Sequence, residues 1–180
     1  RYIEYMMKDL YATEELYFSP EGYWEIKTQK YSDIYFPSSM DEVLKSQIHR
    51  MKGEHREILE IISIYNSSIS KNTLLSVLDR NRDEIDNNLK ELVTMRLLDE
   101  RVADWGYSYS INNVQLKRLI YHQIPQEERM RLHGKVAKLL EDSYSGDLSP
   151  ILDELAYHLM SSNQKGKALE YIVKEAERLG

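Results

Sequence analysis

Apolar side chains recur at helical spacing along most of this chain. In the opening stretch RYIEYMMKDLYATEELYF, Ile3, Met6, Met7, Leu10 and Tyr11 fall on one side of a helix. No N-capping residue precedes them, so the start reads as a cut through a longer protein. The period then shortens to that of strands, with Leu16-Tyr17-Phe18 and Tyr23-Trp24-Glu25-Ile26 flanking Ser19-Pro20-Glu21-Gly22. Proline second and glycine fourth suit a type I turn, and the whole predicts a hairpin. A polar connection over 27–39, carrying Pro37, marks a boundary.

Helical spacing returns in four runs: Met40–Met51, Glu54–Tyr65, Lys71–Leu78 and Arg82–Arg96. The second carries a strong apolar face of Ile58, Leu59, Ile61, Ile62 and Tyr65, and the fourth a stripe of Ile85, Leu89, Leu92 and Val93. Ser70 stands where an N-cap belongs, after the polar bend Asn66–Ser70. LLDERVADWGYSYSI then switches to strand character around Asp104-Trp105-Gly106. Three helices followed by a two-stranded hairpin is the order of a winged helix, a relative of helix-turn-helix.

Helices resume at Val114–Tyr121, ended before Pro125, and at Gln126–Glu141, with Met130, Val136, Ala137 and Leu140 on one side. Another opens at Ser149 or Pro150 and runs to Met160, and Lys165–Leu179 closes the chain. Within this part, ELAYHLMSSNQKGKALEYI joins two helices at a polar bend, the shape of one helical-repeat unit. One such unit cannot bury its own apolar face, and arrays need about three or more. The array is therefore expected to continue beyond Gly180, with further repeats or a second copy stacking on Leu169, Ile172, Val173 and Ala176. The predicted fold is mainly α. An N-terminal helix and small β-hairpin occupy 1–39, a winged helix 40–124, and the start of a tetratricopeptide-like array 125–180.

Composition narrows the function. The 180 residues carry 24 basic and 30 acidic side chains, a net charge of −6, so a general nucleic-acid or anionic-membrane binder is disfavoured. There is no cysteine, which removes disulfides and thiolate metal sites and fits a reducing, cytoplasmic location. No apolar run approaches the roughly 18 residues that a membrane span needs.

Candidate chemistry is sparse. DRNRDEIDNNLK places Asp79, Asn81 and Asp83 at calcium-loop positions. Glu84 and Lys90 then stand where that loop needs glycine and a bidentate glutamate, which rules it out. The five histidines, His49, His55, His122, His133 and His158, form no H-E-x-x-H or other close metal pair, so packing or surface roles are expected. No phosphate-binding glycine loop and no nucleophile elbow occurs, so no catalytic constellation is legible. On the would-be reading helix, Asp83, Glu84, Asp86 and Glu91 face outward and would be repelled by phosphates. Docking against other domains is the expected role of the winged helix, with DNA recognition by a transcription regulator the alternative.

Two stretches carry a family resemblance: YSYSINNVQLKRLIYHQIPQEERMRLHGKVAKLLED, residues 107–142, and ELAYHLMSSNQKGKALEYIVKEAERLG, residues 154–180. Together they resemble the region after the nucleotide-binding module in signal-transduction ATPases with numerous domains. Those are AAA-type ATPases often fused to kinase, cyclase or transcription-regulator domains. Tyr109 and Ile111 match the family's aromatic strand, and Lys117 and Tyr121 its basic and closing tyrosine positions. Arg129 and His133 match an R-x-x-x-H helix. Leu155-Ala156-Tyr157-His158, Lys167-Ala168-Leu169 and Tyr171 resemble its first repeat. Upstream, RYIEYMMKDLY and IYFPSSMDEVLKSQIHRM, with Pro37 and Arg50, resemble the preceding helices.

The resemblance implies a regulatory segment linking a nucleotide-binding module to a repeat array. ATP and magnesium would be bound by the parent protein and no cofactor by this segment. It implies partners among the parent's other domains and proteins held by the repeats, with self-association through the C-terminal helix. The candidate interdomain residues are Trp24, Pro37, Asn113, Tyr121, Arg129, His133, Leu169 and Val173. Asn113 replaces a histidine that contacts nucleotide phosphates in related ATPases, so that role does not carry over.

Overall fold

The computed structural model describes residues 2–28, 39–103, 106–144 and 148–179, and the chain is mostly helical. Pro37 and the expected turn residues Asp104 and Trp105 lie outside the described residues. The chain divides into two compact units, residues 1–51 and 52–180. The expected boundary at 39/40 thus differs from the observed division, because the helix that follows it packs with the N-terminal elements.

The first unit contains α1 (Tyr2–Ala12), β1 (Leu16–Phe18), β2 (Trp24–Ile26) and α2 (Met40–His49). The two strands form an antiparallel hairpin in which Leu16 faces Ile26 and Phe18 faces Trp24. Its turn closes with the Gly22 N–H donating to the Ser19 carbonyl at 3.0 Å, and Gly22 takes the positive φ of 92° that the position requires. Leu10 and Leu16 make a small core with Met6 and Ile26. α1 packs on α2, and Arg50 forms an ion pair with Asp9. Ser39 caps α2 by accepting the Glu42 N–H at 3.3 Å.

The second unit begins with α3 (Gly53–Ser63), β3 (Ile69–Ser70), α4 (Lys71–Leu78), α5 (Arg82–Thr94), β4 (Leu98–Ala103) and β5 (Gly106–Ile111). The strands form one antiparallel sheet in the order β3-β5-β4, with Ile69 opposite Tyr109 and Leu98 opposite Ile111. β3 is a strand that periodicity misses, since two residues carry no period; it is read above only as a bend. The predicted apolar faces form the core: Ile58, Leu59 and Ile62 from α3 and Ile85, Leu89 and Leu92 from α5 are all buried, and Leu74 from α4 joins them. Burying each such side chain contributes roughly 1.5–3 kcal/mol. Val93 is only half-buried, at the margin of the stripe assigned to it.

The remaining helices are α6 (Val114–Gln123), α7 (Gln126–Ser143), α8 (Leu152–Ser161, entered through a 3₁₀ turn at Ser149–Ile151) and α9 (Lys165–Leu179). α6 lies on α3, α7 on α4, α8 on α7 and α9 on α8. Leu132, Val136, Ala137 and Leu140 of α7 are buried, as are Leu155 and Leu159 of α8 and Ala168 of α9. α8 ends in a paired hydrogen-bond motif. The Gln164 N–H reaches the Leu159 carbonyl at 2.8 Å, the Asn163 N–H reaches Met160 at 3.3 Å, and Asn163 is left-handed at φ 63°. That motif turns the chain back into α9.

Candidate functional site

The polar groups that converge most closely lie where α6, α7 and α8 meet the end of α3. The helical period sets two of them: His133 on the inner face of α7 and His158 on the inner face of α8, both 0% exposed. Their Nδ1 atoms are 2.8 Å apart. His158 Nε2 lies 3.1 Å from Glu154, one turn earlier on α8, and the Tyr121 hydroxyl lies 3.4 Å from His133 Nε2. The tyrosine rings of Tyr65 and Tyr157 meet His158 edge-on, with centroids 4.9 and 5.2 Å away.

The tautomers follow from these partners. A carboxylate only accepts, so Glu154 takes the Nε2–H of His158. Neutral His158 then has a bare Nδ1, which accepts the Nδ1–H of His133. His133 Nε2 is left as an acceptor for the Tyr121 O–H. Donors therefore run one way, from Tyr121 through the two histidines to Glu154.

Electrostatics follow from burial. Burial, then neighbouring His158 and Arg129, push the His133 imidazole down to about 4, against a smaller opposing pull from Glu154. Burial would raise the Glu154 carboxyl, but the His158 N–H, the Asn66 backbone N–H and Lys117 together hold it below its usual value. Lys117 donates to the Tyr65 carbonyl and, at 3.2 Å, to that of Asn66. Burial lowers its own pKa, with Glu154 opposing. An ammonium at the carbonyl end of α3 is favoured by the helix dipole. At the other end, the Arg129 guanidinium sits 4.9 Å over the Tyr121 ring. A cleft of about 440 Å³ opens beside it, lined in part by Tyr121, Gln126, Arg129 and Ser161.

Three predicted residues, Tyr121, Arg129 and His133, are thus brought together. Asn113 caps α6 instead, its Oδ1 accepting the N–H groups of Gln115 at 2.8 Å and Leu116 at 3.2 Å. Leu169 and Val173 lie on the outer face of α9, 58% and 52% exposed, beside exposed Ile172. Trp24 belongs to the first unit, 55% exposed, its ring edge-on to Tyr11 at 5.7 Å and Phe18 at 5.4 Å.

His158, Glu154, Lys117, Tyr65 and Asn66 were not among the candidates. Glu154 and His158 are four apart on one helix face, which periodicity could have paired. Their link to α7 and α3 spans too much sequence to be read locally.

The segment with calcium-loop spacing is a pair of helix caps. Asp79 ends α4 in left-handed conformation at φ 52°, and Asn81 opens α5 by accepting the Asp83 N–H at 2.8 Å. On the outer side of α5, Asp86 pairs with Lys71 at 2.7 Å and Glu91 with Lys52 at 2.8 Å, while Asp83 and Glu84 are exposed. Among the described residues no group of three or more histidine, aspartate or glutamate side chains is arranged to hold a metal ion, and no helix is long and apolar enough to cross a membrane.

No protein-family model matches the chain, and no curated protein does. Among solved structures, the chain is similar to the crystal structure of a signal-transduction ATPase with numerous domains, carrying a tetratricopeptide-repeat sensor, from Pyrococcus horikoshii. The TM-score is 0.54 at 14% identity, over 79% of this chain and 21% of that one. The chain thus spans about a fifth of that protein, and the likeness is one of fold.

Proposed function

We propose that this chain is a non-catalytic regulatory segment of a larger signal-transduction ATPase, coupling a nucleotide-binding module to a helical-repeat array. In this reading α3 to β5 form a winged helix, a reading supported by their order and by the β3-β5-β4 sheet. α8 and α9 form the first tetratricopeptide-like hairpin, and ATP and magnesium are bound elsewhere in the parent.

The observation that carries the reading is the polar junction. Tyr121, His133, His158, Glu154 and Lys117 tie the end of α3 and α6 to α7 and α8 through groups whose loss would leave buried polar atoms unpaired. Such a joint transmits rigid-body movement rather than absorbing it. The exposed outer face of α9 supplies the surface on which further repeats, or a second copy, would stack.

Hydrogen exchange on the parent protein tests the coupling. Amides of α6 to α8 should change protection between ATP- and ADP-bound states, and identical protection in both would overturn it. Calorimetric titration of the isolated chain with ATP and magnesium should show no binding; clear binding would overturn the non-catalytic reading.

The winged-helix order also suits a DNA-binding regulator. The acidic outer side of α5 argues against it. Salt-sensitive binding to mixed duplex DNA, tighter than roughly micromolar, would reverse that judgement.

A further inference from the structure

The same junction contains more chemistry than a rigid joint needs. Two fully buried imidazoles in direct contact restrict each other. A doubly protonated pair would hold two cations against one another without solvent, so the pair can accept only one proton. The surroundings decide which ring takes it. His158 faces the Glu154 carboxylate, whereas His133 faces the Tyr121 hydroxyl and the Arg129 guanidinium above that ring.

The other groups around the pair are Lys117 and Tyr121 from α6, Glu154 and Tyr157 from α8, and Tyr65 with the Asn66 N–H after α3. The Tyr65 hydroxyl is buried and makes no hydrogen bond among the described residues.

We propose that Tyr121, His133, His158 and Glu154 form a one-proton switch, in which a single added proton on His158 reverses the hydrogen bond between His133 and Tyr121. One proton comes from solvent, and the only other bonds that change are those of His133, whose N–H bond breaks at Nδ1 as another forms at Nε2. Cationic His158 donates from both nitrogens, Nε2–H to Glu154 and Nδ1–H to His133. His133 must then bare its Nδ1, move its own proton to Nε2 and donate to the Tyr121 oxygen. The Tyr121 O–H, no longer engaged by His133, turns to another acceptor in the cleft beside Arg129. A charge change at the α8 end is thereby read out at the α6–α7 end without His133 itself becoming charged. The depressed basicity of His133 agrees with this division of roles. The switch is a property of the fold and does not depend on the parent being an ATPase.

Long-range proton–nitrogen correlation spectra of the chain, labelled with ¹⁵N at histidine and followed from about pH 8 to about pH 4.5, test it, because they read each ring's tautomer and charge. At high pH, His133 should be the Nδ1–H tautomer and His158 the Nε2–H tautomer. Acidification should produce one transition, in which His158 becomes doubly protonated while His133 changes tautomer and stays neutral.

Fixed tautomers throughout, His133 charging first or together with His158, or no transition before unfolding would each overturn the proposal. Glu154→Gln should move the transition down by about one pH unit or more, the usual effect of removing an adjacent carboxylate. An unmoved transition in that variant would overturn the assignment of the proton to His158. The spectra of the unsubstituted chain decide the remainder even if the variant does not fold.

Discussion

Lys117 shows how one side chain joins distant segments. Its ammonium, half-withdrawn from water, bonds the carbonyls of Tyr65 and Asn66, more than fifty residues earlier in the chain. Those carbonyls lie in the bend just after α3, outside its hydrogen-bond ladder, and take Lys117 as donor. Lys117→Met keeps the aliphatic stem and removes the donor, so it should cost about 1–2 kcal/mol in urea unfolding.

At the same scale, His133 makes stability depend on pH. Its folded pKa, about 4, lies below the unfolded value of 6.5, so between these values the unfolded chain binds the extra proton. Stability contributed by neutral His133 is complete above about pH 6.5 and is lost as pH falls toward 4. Denaturation at about pH 7.5 and pH 4.5 should differ by about 2–3 kcal/mol from this group. A His133→Gln variant should lose much of that difference.

Helix endings carry the element-scale lesson. α1, α5 and α8 each end with a non-glycine residue in left-handed conformation, Glu14, Arg96 and Asn163, followed by a bond back to the carbonyl five residues earlier. With only seven glycines in the chain, the usual stop signal is missing, so the sequence pattern ran α5 on to Arg96 while the helix ends at Thr94. The starts were more legible: Ser70 accepts the Thr73 N–H at 3.0 Å, as its position predicts.

The conformation at these stops has consequences for substitution. Arg96→Gly should stabilise the second unit by about 0.5–1 kcal/mol in thermal or chemical unfolding, because glycine removes the left-handed penalty. Asn163→Val should cost at least about 1 kcal/mol by the same measurement, since a β-branched residue tolerates that conformation poorly.

At the scale of the whole molecule, the outer face of α9 is an apolar surface exposed among the described residues. Leu169, Ile172 and Val173 are exposed, while Ala168, one turn before Ile172, is fully buried. Replacing both Leu169 and Val173 by Glu should change stability by no more than about 0.5 kcal/mol, since both residues are more exposed than buried. The same variant should abolish any concentration-dependent association seen by sedimentation velocity. Association that persisted would place the contact between copies elsewhere.

The order of the helices and of the longer strands, the first hairpin and the apolar side of α9 were written in the local sequence, because a local pattern of apolar residues dictates which face a helix buries. That His133 and His158 touch could not be read that way. They lie 25 residues apart on separate helices, and only the packing of α8 on α7 brings their Nδ1 atoms to 2.8 Å. The two-residue strand β3 was hidden for the same reason, since its pairing with β5 is a long-range contact. Sequence alone determined which residues are apolar and how they are spaced. Tertiary structure decided which polar groups lost water together, and that shared burial makes a pair of ordinary histidines respond to a single proton.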